Sequence, residues 1–363
     1  MNTVLDRRHV VVVVRTLSVL VVASGVTWLA LPSPIGSLAW IPSPAPALDG
    51  AYQTNGLLTA AEHIYTDVVT GPEDIAFDHE GRASTGLSDG RIVRLNADGT
   101  VTDLAHTGGR PLGLEYAPDG TLYVADARRG LLRVDLATRA VTVLLDKAEG
   151  IAFHCVNDLE IAKDGTLYFS DSSAVWGLDQ ATEDILDQRP SGRVLKYDPR
   201  TDSDALVLAR DLVFANGLAL SLDEKQLFIA ETGRYRIWRL WLSGDKKNLK
   251  EVVIENLPGF PDNLDMTPRG TIWVALISTR KRAIDWMQPY PFLKDATASL
   301  PRWLRPEPPS WGFVVELDSN GLPLRSLQDP GGKKVPHVSA AKEHDGQLWL
   351  GNLDDDHLSR LRL

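Results

Sequence analysis

Apolar residues along this chain fall into short alternating runs separated by turns, and six segments repeat one pattern: 75–81, 114–120, 159–165, 218–225, 264–270 and 339–346. Each is an apolar stretch leading to a turn, which closes on Gly in five of the six, and then a strand. The strands after the turn read 122–125, 167–170, 227–230, 272–275 and 348–351. A third strand follows in each unit (91–95, 130–135, 192–197, 235–242, 312–317, 357–361) and a fourth in most, such as 101–104 and 141–145. Short, evenly spaced strands with Asp-Gly turns predict an all-β fold, and four strands per repeated unit predict a six-bladed β-propeller over residues 61–363. The last unit ends at Leu363 without a fourth strand, so segment 61–68 is expected to supply it and close the ring. Helical periodicity over this region is confined to a short stretch inside 280–305.

Counting back eight residues from each turn residue, nine in the longer fourth unit, reaches Glu73, Leu112, Asn157, Asn216, Asp262 and Val338. In a ring these positions meet at the axis. Two carboxylates and two amide oxygens there, with the adjacent Asn263, form a hard-cation set of the kind calcium takes. Asn and Asp before a strand also serve as turn residues, but capping gives no reason for four to share one phase. Among neighbouring residues, Asp74 and Asp158 either bind a second, deeper cation or satisfy backbone donors. His154, three residues before Asn157, is a candidate general base. Arg110, Leu112 and His337 are expected near the substrate. Cys155 beside His154 is not a nucleophilic pair, since adjacent strand residues point apart.

Two spacings are long, with insertions around 172–190 and 277–310. The second carries Trp286, Tyr290, Phe292 and Trp303 and reads as a lid over the mouth, a membrane-contacting patch or a plain surface excursion. As a lid it brings Trp286 to the substrate. Upstream of the repeats, Arg7, Arg8 and Arg15 precede the uncharged run 16–31. A basic head before an apolar run predicts one N-terminal hydrophobic helix within 1–31, either an uncleaved signal anchor or a cleaved signal peptide. Residues 32–60, rich in Pro, Ser and Ala, read as a linker. The propeller is then expected outside the cytoplasm, anchored to a membrane through that helix, or secreted if the signal is cleaved. A net charge of −10 argues against nucleic acid as a partner.

Several motifs occur in order: Gly71-Pro72-Glu73-Asp74, Gly109-Arg110-Pro111-Leu112-Gly113-Leu114, Val156-Asn157-Asp158, Phe214-Ala215-Asn216-Gly217, Ala230-Glu231-Thr232-Gly233 and 257–263. Together they resemble the strictosidine synthase-like family, in particular its adipocyte plasma membrane-associated protein branch, whose animal members carry one N-terminal anchor helix. The resemblance runs from about residue 60 to the C-terminus. Related groups include paraoxonases, gluconolactonases and diisopropyl fluorophosphatase, which are calcium-dependent six-bladed propellers. By that likeness Glu73, Asn157, Asn216, Asp262 and Asn263 are expected to hold a catalytic calcium, and Asp74 and Asp158 a structural one. Paraoxonases carry a catalytic histidine in the second blade, where this chain has Leu112, which leaves the base unassigned. The resemblance implies a calcium-dependent hydrolase of carboxylic esters or lactones, with Asp262 or His154 activating water or Asp262 attacking directly. A non-catalytic ligand- or partner-binding propeller with structural calcium is one alternative. The carbon–carbon bond formation of metal-free strictosidine synthase is another, and the ligand set argues against it.

Overall fold

In the computed structural model, residues 33–201, 203–305 and 309–363 are described. Six antiparallel sheets of four strands each form the blades, and in five of them strand order follows the chain from the axis outward. Blade 1 runs from Ile75–Phe77 to Val101–His106, blade 2 from Pro111–Tyr116 to Val141–Leu145 and blade 3 from Val156–Ile161 to Leu206–Leu212. Blade 4 runs from Ala215–Leu220 to Lys250–Ile254 and blade 5 from Gly259–Met266 to Pro323–Pro330. Blade 6 takes three strands from the end of the chain, and its outer strand is Glu62–Ile64, which pairs antiparallel with Leu358–Arg362. The expected closure by an N-terminal strand is therefore what joins the two ends of the ring.

The core is divided among the seams. Six buried apolar clusters each lie between two neighbouring blades. Phe169, Leu131 and Tyr123 pack between blades 2 and 3, for example, and Phe228, Phe313 and Ile272 between blades 4 and 5. Inner hairpins turn on a left-handed residue, Gly120 (φ 84°) or Gly165 (φ 85°). The fourth unit has Glu224 (φ 54°) in that conformation and one residue more. In the sixth unit the hairpin pairs His344 with Gln347 across only two residues, whereas the others hold longer loops. That shortening moves the register by one. Ser339, not Val338, stands at the ring position, and Val338 is buried in the seam between blades 5 and 6.

The insertions fold into helices α1 (Ala181–Asp187), α2 (Arg282–Met287) and α3 (Pro291–Ala298) over one face. Arg305 ties them by an ion pair to Glu183 at 2.7 Å. Residues 33–60, read as a linker, are docked along their length. Ile35 packs with Leu186 and Ala298, Leu38 N donates to Asp187 O, Asn55 Oδ1 accepts from Gln328 N, and Leu58 is fully buried between blades 5 and 6. The expected N-terminal helix lies outside the described residues. Among the described residues no helix is long and apolar enough to cross a membrane.

Leu58→Ala is expected to cost about 2–5 kcal/mol, the range for emptying a fully buried leucine site. A urea midpoint equal to that of the parent protein would mean that this stretch is not part of the packed core.

Candidate functional site

The first strands of the blades meet at the axis, and four of them carry the same irregularity. Pairing jumps from Pro111↔Asp126 to Leu114↔Val124, from Val156↔Asp171 to Leu159↔Phe169, from Ala215↔Glu231 to Leu218↔Ile229 and from Pro261↔Leu276 to Leu264↔Val274. Each jump sets three residue steps on the inner strand against two on its neighbour, which is a β-bulge. The bulged residues include Asn157-Asp158, Asn216-Gly217 and Asp262-Asn263. A bulge breaks the alternation of a regular strand, so both members of such a pair lie at the channel. Gly113 and Gly217 stand where a Cβ would approach the next inner strand to 2.7 Å (Asp158 Oδ1) and 2.5 Å (Asn263 Cα). No other residue fits so close a backbone approach.

Glu73, Asn157, Asn216 and Asp262 line the floor of one cavity of about 330 Å3. Each amide nitrogen is turned away to a protein partner. Asn157 Nδ2 donates to Ser172 Oγ at 3.0 Å, Asn216 Nδ2 to Asp262 Oδ1 at 2.6 Å and to Thr232 Oγ1 at 3.1 Å. Asn263 lies one level deeper, and its Nδ2 donates to Glu73 Oε1 at 3.0 Å. The amides are thereby oriented with oxygen inward. Glu73 Oε2, Asn157 Oδ1, Asn216 Oδ1 and Asn263 Oδ1 are buried with no hydrogen-bond partner among the described residues. Leaving a buried acceptor unpaired costs about 1–3 kcal/mol each. Three of these oxygens, from Glu73, Asn157 and Asn216, share the cavity floor with the Asp262 carboxylate and so fit a cation that would collect them. Among the described residues no group of three His, Cys, Asp or Glu side chains forms a metal cluster. The arrangement here is half amide, which suits a hard cation and not zinc.

Electrostatics agree with that fit. Burial pushes the Glu73 carboxyl well above the usual range, and Asp262 and Asp74 push it further while Arg110 opposes them. Burial raises Asp262 to about 7 against the pull of its Asn216 bond. These acids crowd at a point that lacks enough positive charge to hold them all ionised.

The remaining candidates separate. Leu112 and His337 line the cavity. His337 Nδ1 lies 3.2 Å from Ile277 O, which places the proton on Nδ1 of the neutral ring and leaves Nε2 as an acceptor. His154 is exposed and is not among the lining residues, because the strand only begins at Val156 and the bulge turns Asn157, not His154, to the axis. Arg110 is buried behind Glu73, with Nη2 donating to Leu353 O at 3.3 Å, and it does not reach the cavity. Trp286 is 63% exposed on the outer face of α2, and the wall is made instead by Ile284 from the same helix with Thr182, Ile185 and Leu186 of α1. Phe214 and Phe260, which the sequence reading missed, also line the cavity. Both stand two residues before a ring position, as His337 stands two before Ser339, so the same count would have found them. Phe214 holds a left-handed backbone (φ 61°), a strained conformation for a bulky residue.

Among known proteins, residues 157–245 match the family described as strictosidine synthase, and residues 50–95 the one described as strictosidine synthase-like, N-terminal. The adipocyte plasma membrane-associated protein of Salmo salar is 35% identical over 362 residues, spanning 93% of this chain and 86% of the salmon protein. The Arabidopsis thaliana protein strictosidine synthase-like 6 is 34% identical over 313 residues, 84% of this chain and 82% of its own. A gluconolactonase structure from Xanthomonas campestris superposes with a TM-score of 0.61 at 19% identity, over 92% of this chain and 99% of that one. The calcium-binding protein regucalcin of Agrobacterium tumefaciens gives 0.58 at 17% identity, over 82% and 92%. At such identities the solved structures speak to the fold alone.

One stability experiment follows from the raised acids. A carboxyl raised by folding adds stability below its ordinary pKa and loses it as pH climbs through the folded value. In chelator, the urea midpoint is therefore expected to fall between about pH 4 and the value near 7 at Asp262. Asp262→Asn, neutral throughout, should flatten that slope by an amount on the order of 2–4 kcal/mol. Parallel slopes for parent and variant would contradict the burial of this charge.

Proposed function

The chain belongs to the strictosidine synthase-like family that includes the adipocyte plasma membrane-associated proteins, and we propose that it is a calcium-dependent hydrolase of lipophilic carboxylic esters or lactones. The observation that carries this reading is the set of inward, unpartnered oxygens on the floor of a largely apolar cavity. Glu73, Asn157, Asn216 and Asp262 would hold the calcium, with Asn263 positioning Glu73 from below. When bound, the ion would polarise a substrate carbonyl and offset the charge that develops on its oxygen.

The chain's own residues supply the rest. Phe214, Phe260, Ile277 and Ile284 would seat an apolar acyl or aryl group and exclude water from it. His337, with Nε2 as acceptor, is the base within the cavity that would take a proton from the attacking water. Asp262, on the floor of the same cavity, is the second candidate. Leu, Ile and Phe side chains on this wall favour a lipophilic substrate over a sugar lactone. The likeness to a gluconolactonase is thus read as a shared scaffold carrying a different specificity. The names of the relatives and the apolar run 16–31 support a propeller held at a membrane on its non-cytoplasmic side.

The reading is tested by assaying aryl esters, long-chain lactones and gluconolactone, each with and without chelator. Lipophilic substrates should turn over, chelation should abolish the rate, and Asp262→Ala should lower kcat/KM by about 100-fold or more. His337→Gln should reduce kcat by about 100-fold or more. A rate unchanged by chelator and by Asp262→Ala would sink the proposal. Calcium-dependent melting without turnover of any substrate would favour a binding propeller.

A further inference from the structure

Deeper in the channel, the blade repeat defines another set of equivalent positions. Residues paired with the second position of each second strand are Ala76 (with Ser84), Glu115 (Tyr123), Glu160 (Tyr168), Ala219 (Phe228), Asp265 (Trp273) and Lys342 (Trp349). Three are carboxylates and one is a lysine. With Asp74 and Asp158 from the level above, Glu115, Glu160, Asp265 and Lys342 line a chamber whose free space, about 10 Å3, is that of a single water. Lys342 Nζ lies 3.3 Å from Glu115 Oε2.

Three acids of this chamber, Asp158, Asp74 and Asp265, accept backbone N–H groups, and Glu115 faces Lys342. Asp158 accepts Leu159 N at Oδ1 (2.8 Å) and Leu218 N at Oδ2 (2.7 Å), the second bond crossing from blade 3 to blade 4. Asp74 Oδ2 accepts Leu114 N of blade 2 at 3.1 Å, and Asp265 Oδ2 accepts Glu343 N of blade 6 at 3.2 Å. These carboxylates staple one inner strand to the next, and the one cation among the lining side chains is the Lys342 ammonium. Asn263 also lines the chamber, but a dication there would have to sit beside an ammonium in a space the size of one water. Asp74 and Asp158 therefore do not fit the structural calcium that the family resemblance leads one to expect.

We propose that Lys342 is a tethered counter-cation standing in for a second metal ion, so that the deep position of this channel takes no calcium. The proposal adds to the calcium reading of the upper ring but is measured apart from it. Burial alone would lower the pKa of Lys342, but Glu115, Asp74, Asp265 and Glu160 outweigh burial and raise it well above the ordinary value. The charge is thus held on the side chain through the physiological range.

Calcium bound per chain is counted by equilibrium dialysis against millimolar calcium and elemental analysis, on the full chain and on K342Q, K342R and D262A. The parent protein should hold one calcium and D262A should lose it. K342Q should hold one more than the parent and melt lower in chelator, and K342R should keep the parent count. Two calcium ions in the parent, or equal counts in the parent and K342Q, overturn the proposal. Should K342Q not fold, the parent count decides: two ions overturn the proposal, and one or none support it. A parent without calcium strikes the upper ring alone, since the difference between parent and K342Q still reports on the deep position.

Discussion

Crowding of buried oxygen at the axis is the constraint on which this molecule turns. Six inner strands must converge, and the bulges in blades 2 to 5 let consecutive residues reach the channel where a regular strand would present alternate ones. Apolar side chains at all those positions would give an inert plug. This chain instead places Glu73, Asp74, Asp158 and Asp262 there, and burial raises every one of them above its ordinary pKa. The propeller is therefore held together by its seams and strained at its centre. The closing strand Glu62–Ile64 matters for the same reason, because an open ring would let the axis swell and admit water.

The strain is contained by polar latches set at one phase. The residue at the end of the second strand, or two beyond it in blade 6, holds the loop that enters its own blade. Asp126 Oδ1 accepts Arg110 N, Asp171 Oδ1 accepts Cys155 N, Glu231 Oε1 accepts Val213 N, and Asn352 Nδ2 donates to His337 O. Each latched loop runs directly into a ring position. Asp171 is itself pinned by Arg193 at 2.6 Å, a pair in which both side chains are buried and further hydrogen bonds run to Ala148 O and Ala152 O. Breaking one partner of such a pair leaves a lone buried charge and costs more than the pair gains. The precision of the oxygen ring is thus paid out of residues that never touch it.

Much of this was legible in the residues. Apolar period and turn spacing gave six blades and the closing strand, and a fixed count back from each turn reached Glu73, Asn157, Asn216 and Asp262, which share the floor of one cavity. The count failed at the sixth unit, because a hairpin one residue shorter cannot be seen without the partner strand, and Val338 was named where Ser339 stands. Strand alternation misled at the bulges, since a bulge is a property of two strands and not of one. His154 looked close to Asn157 in sequence, yet three residues separate the loop from the channel and leave it exposed. Trp286 and Arg110 were assigned from chemistry alone. Helix packing turned Ile284, not Trp286, inward, and Arg110 is buried beside Glu73 and Leu353 outside the cavity lining.

Repetition with divergence also gives the site a direction. Oxygens come from blades 1, 3, 4 and 5, whereas blade 2 contributes Leu112, and in blade 6 the Ser339 hydroxyl is spent on Glu73 O at 2.6 Å. On both sides of Glu73 the ring therefore lacks an inward donor. The flanks of that gap are apolar at Leu112, Leu178 and Leu353 and basic at His337, all on the cavity wall. A cation bound by the four oxygens would be enclosed from blades 3 to 5 and least covered toward blades 2 and 6. Sequence drift at two of six equivalent positions, and not a separate catalytic loop, is what would convert a closed cation cage into an open one.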